Sequence, residues 1–332
     1  MVRVTVIIPT FNRAEYLREA IDSAAAQDDV SIVVADNASN DATPSVVDAA
    51  VAKFGTDRLR YVRRASNIGW HANFNESLAE VESEFALVLG DDDRLLPGAM
   101  RRAIDALDRS PTAGMAHAAF ETIDADGQIV ETATDWTKGL TEDTLEPGAV
   151  FIERTMPWPT RVFAHSVVMR RAAFQVPMWD PADGAVADYV LWMRIALHWD
   201  VEYLATPAAQ RRVHPATLSK DFGAIEGSDY LITPDAIEVL RAAKLHFVDR
   251  HLGELRDPGA LRRAARRGAR RDLAVFVRGV AGHSRRGGLR ALARAVRVQP
   301  TTLLDPIAWR GLAKIALGPR ASARLGRARG AR

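Results

Sequence analysis

Three consecutive carboxylates, Asp91-Asp92-Asp93, follow Gly90 at the end of the apolar run Phe85–Leu89 and stand just before Leu95-Leu96-Pro97. Carboxylates this close repel one another, so the cluster needs a cation or raised pKa values. Hard oxygen donors suit Mg2+ or Mn2+, which are held by one or two carboxylates and fill their shells with waters and substrate phosphates. The same residues also allow an acidic turn that caps the helix expected from Leu95-Leu96-Pro97.

The elements that must carry these groups alternate in type. Val4–Ile8 is a continuous apolar run closed by Pro9, as expected of a strand covered on both faces. Asn12 is a candidate helix cap with Glu15 as its capping-box partner, and Leu17, Ala20, Ile21 and Ala24 then share one helical face. Ile32–Ala35 reads as a second strand ending in the polar turn Asp36–Asp41, followed by a helix over about Pro44–Phe54 and a short strand near Leu59–Val62. Asn67-Ile68-Gly69 makes a turn before a helix reaching Leu78, and Phe85–Leu89 is again a buried strand. This rhythm predicts a doubly wound α/β sheet with its ligands at the carboxyl ends of the strands. Farther on, strands are expected near Gly114–Phe120 and Val162–Arg170. A helix is expected over Asp188–His198, with Leu191, Ile195 and Ala196 apolar at helical spacing. The stretch from Glu121 to Thr160 is acidic and contains Trp136 and Trp158.

Composition excludes several chemistries. In 332 residues there is no cysteine, which rules out disulfides, Cys-ligated zinc, iron–sulfur clusters and a cysteine nucleophile. The opening apolar run is too short for a secretory signal, and no window approaches the roughly 18 apolar residues of a membrane span. The formal charge of +2 hides an asymmetry. From Leu261 to Arg332 there are 19 basic residues against Asp272 and Asp305, a net +17, which leaves −15 on the remainder. A basic tail on an acidic body suits a polyanion: an anionic membrane surface, a nucleic acid or the body itself. No aromatic-interleaved or zinc motif supports nucleic acid, and none is expected. Within the tail, Leu303, Leu304, Ile307, Ala308, Leu312 and Ile315 are expected to form one apolar stripe. Such a stripe suits either a helix lying on anionic lipid or one docked on the protein or on a dimer partner.

Taken in order, VTVIIPTFNRAEYL, VVADNASND, SNIGWHAN, GDDDRLLP and ADYVLWMR resemble the family-2 glycosyltransferases, inverting enzymes of the GT-A fold, over roughly residues 2 to 220. The resemblance implies a Rossmann-like nucleotide half over 1–110 and an acceptor half over 111–225, with a basic helical region over 226–332. It implies that Pro9, Thr10, Asn12 and Arg13 cradle the nucleotide. Asp36 would read the base, since a carboxylate accepts the imide N–H of uracil or thymine. Asn67 and Gly69 would approach ribose and phosphates, with Arg63 and Arg64 nearby. The metal-binding acid falls on Asp92 and a second contact to ribose or metal on Asp91, with Asp93 left to cap the helix. The family's usual first acid is replaced by Gly90.

The catalytic base of the family falls on Asp188, the glutamate usually before it being Ala187. Inversion needs such a base on the acceptor side while a divalent ion stabilises the departing diphosphate. Arg194 is expected to pair an internal acid. Arg212 and His214 match the family's Arg-x-His, closing over the diphosphate or ligating the metal, with Ser219 and Lys220 beyond. The implied activity is Mg2+- or Mn2+-dependent transfer from a nucleotide-diphosphate sugar, UDP or dTDP first, to a hydroxyl of a lipid-linked sugar, polysaccharide or small molecule. The expected location is cytoplasmic, with a peripheral position at the inner face of the cell membrane as the option that the basic tail adds. A catalytically inactive binding or scaffold relative is the alternative that Gly90 and Ala187 would support.

Overall fold

A computed structural model describes residues 2–132, 140–157, 162–174, 178–214, 223–226 and 229–318. Trp136, Trp158, Ser219 and Lys220 lie outside these. The chain divides into two compact units, one of residues 1–152 with 160–214 and one of 153–159 with 215–332.

The first unit is built on strands β1 (Val4–Thr10), β2 (Val30–Asp36), β3 (Leu59–Arg63) and β4 (Phe85–Val88), all parallel in the order β3-β2-β1-β4. Helices α1 (Ala14–Ala25), α2 (Thr43–Phe54) and α3 (Trp70–Ala79) make the crossovers. Every residue of β1 and β4 is buried, which is why both read as unbroken apolar runs. The apolar face of α1 is the expected one, Leu17, Ala20, Ile21 and Ala24. The sheet then continues through β9 (Val167–Arg170), antiparallel to both β4 and β6 (Ala113–Ile123). Strand β10 (Asp200–Arg212) runs parallel to β6, and the short β5 (Arg94–Leu95) pairs antiparallel with its far end. Two further strands, β7 (Ile129–Thr132) and β8 (Thr144–Glu146), bring the sheet to ten strands among the described residues. Helices α4 (Ala99–Arg109) and α6 (Ala187–Ala196) belong to this unit, as do the first residues of α5 (Gly148–Thr155), whose last three are counted with the second. The expected mixed, doubly wound α/β sheet is what forms.

Three local expectations are corrected. Asn12 does not cap α1: it takes a left-handed φ of 53°, and the capping position passes to Arg13 without a side-chain cap. The segment after the acidic triplet is a strand, with α4 starting only at Ala99 behind a left-handed Gly98, so Asp93 caps no helix. Helix α6 spans Ala187–Ala196 rather than the expected Asp188–His198, with Val186 at its cap position.

The second unit contains a hairpin, β11 (Gly223–Glu226) with β12 (Asp229–Ile232), and helices α7 (Pro234–Arg250), α8 (Pro258–His283), α9 (Arg285–Val298) and α10 (Pro306–Leu317). Thr233, Asp257, Ser284 and Asp305 cap the four helices through their side chains. Leu273, Val277, Ala281, Ala291, Ala295 and Ile315 form a bundle core. The expected apolar stripe therefore splits. Ala308, Gly311 and Ile315 face the bundle, a Cβ on Gly311 meeting Val277 at 3.0 Å, whereas Leu303, Leu304, Trp309 and Leu317 face solvent. Among the described residues, no helix is long and apolar enough to cross a membrane.

Candidate active site at the carboxyl edge of the sheet

Register puts Thr10, Asp36 and Arg63 in one row at the carboxyl ends of β1, β2 and β3. Asp36 is fully buried: Oδ1 accepts the Ser39 amide at 2.8 Å and Oδ2 accepts the Tyr61 hydroxyl at 2.7 Å. Burial, then the Asp36 carboxylate, raises the pKa of Tyr61. The loop held this way contains Ala38 at φ 68°, next to Asn12 at 53°; the Asn12 amide donates to Ser39 Oγ and its Oδ1 accepts the Asn40 amide. Non-glycine residues in this region are uncommon outside tight functional loops. From the same loop, Asn37 bonds both ways with the next turn: its Nδ2 donates to Asn67 Oδ1 at 2.8 Å and its Oδ1 accepts the Ile68 amide at 2.9 Å. Gly69, at φ 82°, fills a conformation that a side chain would strain. Arg63 donates to the Ser39 carbonyl in the loop, and Arg64 pairs with Asn73 and Glu76 on α3.

The acidic triplet emerges beside this edge. Asp92 Oδ2 lies 2.9 Å from Arg13 Nη1 and 3.0 Å from His214 Nε2. Asp93 turns the other way: Oδ1 accepts the Arg212 amide at 2.9 Å and Oδ2 meets His165 Nδ1 at 3.1 Å. Burial works to raise Asp93, but His165, the Arg212 amide and Arg211 outweigh it and leave its pKa lowered. Burial and then the Asp92 charge push Asp91 up to about 7, with Thr10 and Arg13 opposing. Burial and Asp93 likewise raise Asp92 against the pull of His214 and Arg13. A Cβ at Gly90 would stand 2.7 Å from Asp93 Oδ2, so the inward turn of Asp93 leaves no room for a side chain at the position where the resembled family has an acid.

Arg212 is 1% exposed, with its donors directed to the carbonyls of Asp92, Asp124 and Ala125 and to Glu19, and with Tyr16 beneath its guanidinium. Here it is a strut that fixes the backbone of the triplet. Among the described residues, no three His, Asp or Glu side chains gather as a cation cage. The donors present are the Asp92 carboxylate and the His214 imidazole, beside Asp91. Hard carboxylate oxygens with one borderline imidazole nitrogen fit a divalent ion that takes most of its shell from phosphates and water.

Asp188 stands in the first turn of α6, its Oδ1 accepting the Tyr189 amide at 2.7 Å. Burial pushes it up to about 6, against the Tyr189 amide and the His165 charge. Arg194 pairs with buried Asp183, an internal acid as expected, and with the Met178 carbonyl, which fastens the segment leading into α6. Ala187 is fully buried.

The fold thus brings Thr10, Asn12, Arg13, Asp36, Asn67, Gly69, Asp91, Asp92, Arg212 and His214 to adjoining strand ends and loops, with Pro9 buried inside β1. His165, Tyr61 and Asn37 join them unforeseen. No local pattern marks a lone histidine or tyrosine whose partner is 25 or more positions away.

A family model described as Glycosyl transferase family 2 matches residues 5–173. An uncharacterized protein of Mycobacterium bovis is 30% identical over 219 residues, which is 64% of this chain and 59% of the relative. The chain therefore spans less than two thirds of that relative's length. Among solved structures, S. aureus TarS 1–349 in complex with UDP-GlcNAc aligns with a TM-score of 0.57 at 18% identity, over 91% of this chain and 90% of that 1–349 chain. The mannosyltransferase PcManGT of Pyrobaculum calidifontis, in complex with GDP-Man and Mn2+, aligns at 0.55 and 18%, over 95% and 86%.

Proposed function

The chain belongs to glycosyl transferase family 2 and has the GT-A fold, and from that premise we propose a metal-assisted, inverting transfer of a sugar from a UDP or dTDP sugar to an acceptor hydroxyl. The observation that carries this reading is the contact of Asp92 with His214 at the carboxyl edge of the parallel strands, where Thr10, Asp36 and the Asn67–Gly69 turn also end. Asp92 and His214 would hold Mg2+ or Mn2+, which when bound supplies charge stabilisation to the leaving diphosphate. Arg13 adds a cation to the same locus, and Asp91 offers a further oxygen to ribose or metal. Asp36 supports base recognition by shaping the Asn37–Ser39 loop as well as by its own charge. Arg212 acts by holding the triplet.

Asp188 would take the acceptor hydroxyl's proton. A pKa near 6 suits a general base, because the carboxylate is ionised at neutral pH yet more basic than an exposed one. The complexes of TarS with UDP-GlcNAc and of PcManGT with GDP-Man and Mn2+ support a nucleotide-sugar donor and a divalent ion. Release of nucleotide from a panel of UDP-, dTDP- and GDP-sugars, with and without Mn2+, tests the reading. Release from none of them sinks it.

A second observation supports a site of action at an anionic membrane surface. Leu304 and Trp309 are 70% and 61% exposed, and Leu317 shares the outward face of α10 with Trp309, i to i+8. Arg297, Arg310 and Lys314 lie close to them in sequence. An apolar face bordered by cations suits anionic lipid and a lipid-linked acceptor, as in polysaccharide or glycolipid synthesis.

A further inference from the structure

Trp70 is 37% exposed, a large apolar ring facing water directly after the Asn67-Ile68-Gly69 turn. It does not hang free. One face stacks on His71, with centroids 3.4 Å apart, and its edge meets Phe74 at 5.5 Å. Phe74 in turn packs edge-on against Trp179, which is 1% exposed. The backing segment is tied to α3 by polar bonds as well. Asn75 Oδ1 accepts the Met178 and Trp179 amides, Asn75 Nδ2 donates to the Trp179 carbonyl, and His71 Nε2 lies 3.3 Å from the Gly184 carbonyl. Asp188 follows Gly184 by four residues. The indole is therefore anchored between the turn assigned to the nucleotide and the segment that delivers the base.

We propose that Trp70 is a stacking platform for a pyranose ring at this site, an inference that rests on the glycosyltransferase reading. The C–H bonds on one side of a pyranose carry partial positive charge, and the face of an indole is negative, so the two attract while the ring hydroxyls stay solvated or hydrogen-bonded. A ring already immobilised by His71, Phe74 and Trp179 loses little freedom on contact, which favours binding. The pyranose belongs to the donor or to the acceptor; the chemistry is shared, and the assays separate the two.

The 332-residue chain and its variants Trp70→Ala and Trp70→Phe are titrated calorimetrically with UDP, with UDP-glucose, UDP-GlcNAc and GDP-mannose in Mn2+, and with methyl β-glucoside in the presence of UDP and Mn2+. Expected is a loss of at least about ten-fold for Trp70→Ala, either toward the nucleotide sugars (donor pyranose) or toward the glucoside (acceptor pyranose). UDP affinity stays unchanged, and Trp70→Phe recovers most of the loss. Loss of UDP affinity by the same factor, no change for any probe, or a phenylalanine variant as weak as the alanine one overturns the platform. A wild-type chain that binds no nucleotide or sugar overturns the proposed function with it. Sugar binding by the wild type that is no weaker after Trp70→Ala overturns the platform alone.

Discussion

Asp92 and His214 are 122 positions apart in the chain and 3.0 Å apart in the fold. The pair closes a loop from the end of β4 to the end of β10, and Arg13 from the end of β1 reaches the same carboxylate. Asp92→Asn removes the charge and keeps the shape. It is expected to cut UDP affinity in Mn2+ by at least about ten-fold, while affinity in EDTA and the melting temperature change little. Calorimetry in the two buffers checks this, and an unchanged Mn2+ dependence removes Asp92 from the metal site.

Asp188→Asn keeps the hydrogen bond to the Tyr189 amide within reach but cannot accept a proton. Transfer is expected to fall by roughly 10²–10⁴-fold with donor affinity retained. In the wild type, protonation of Asp188 below about pH 6 should lower the transfer rate about ten-fold per pH unit. A pH–rate profile that stays flat from 7 to 5 contradicts the base assignment.

The helical unit carries its own pH dependence. Burial pushes Lys244 on α7 down to about 7, against the attraction of Asp272, from an ordinary value of 10.5. Between those values the unfolded chain binds the proton and the folded chain releases it, so stability rises with pH across the window of about 7 to 10.5. Below it the full cost of the buried charge remains. Lys244→Met is expected to raise the melting temperature at pH 7 and to flatten its rise toward pH 10. Calorimetric melts of both proteins across this range decide it, and parallel curves rule the lysine out.

The outward face of α10 makes a direct prediction about lipid. Cutting the chain at Gly288 would remove Ala291, Ala295 and Ile315 from the bundle core, so a surface variant is the cleaner probe. Leu304→Glu with Trp309→Glu should abolish co-sedimentation with vesicles rich in anionic lipid and leave the melting temperature nearly unchanged. Wild-type binding should weaken with salt, since each arginine near the surface contributes ~1 kcal/mol and screening sets in at about 8 Å at physiological strength. Equal binding to neutral vesicles, or none to either kind, speaks against the membrane face.

What the amino-acid order determined alone was the α/β rhythm. Buried parallel strands must be continuously apolar, crossover helices must show one apolar face, and both patterns are local in Val4–Ile8, Phe85–Leu89 and Leu17–Ala24. The ends of those runs also locate Thr10, Asp36 and Asp91–Asp93, because ligands of a doubly wound sheet gather where its strands stop. Tertiary structure alone decided what each polar group does there. Asp93 reads as a helix cap until β10 supplies the Arg212 amide and His165 arrives from 72 positions away, and no local pattern shows that the Arg212 guanidinium meets Glu19 and three backbone carbonyls. The apolar residues around α10 read as one stripe until packing on α8 divides them between two faces. Periodicity reports which side of an element is buried, whereas the partner of a buried charge is chosen by whatever distant strand or helix the fold sets against it.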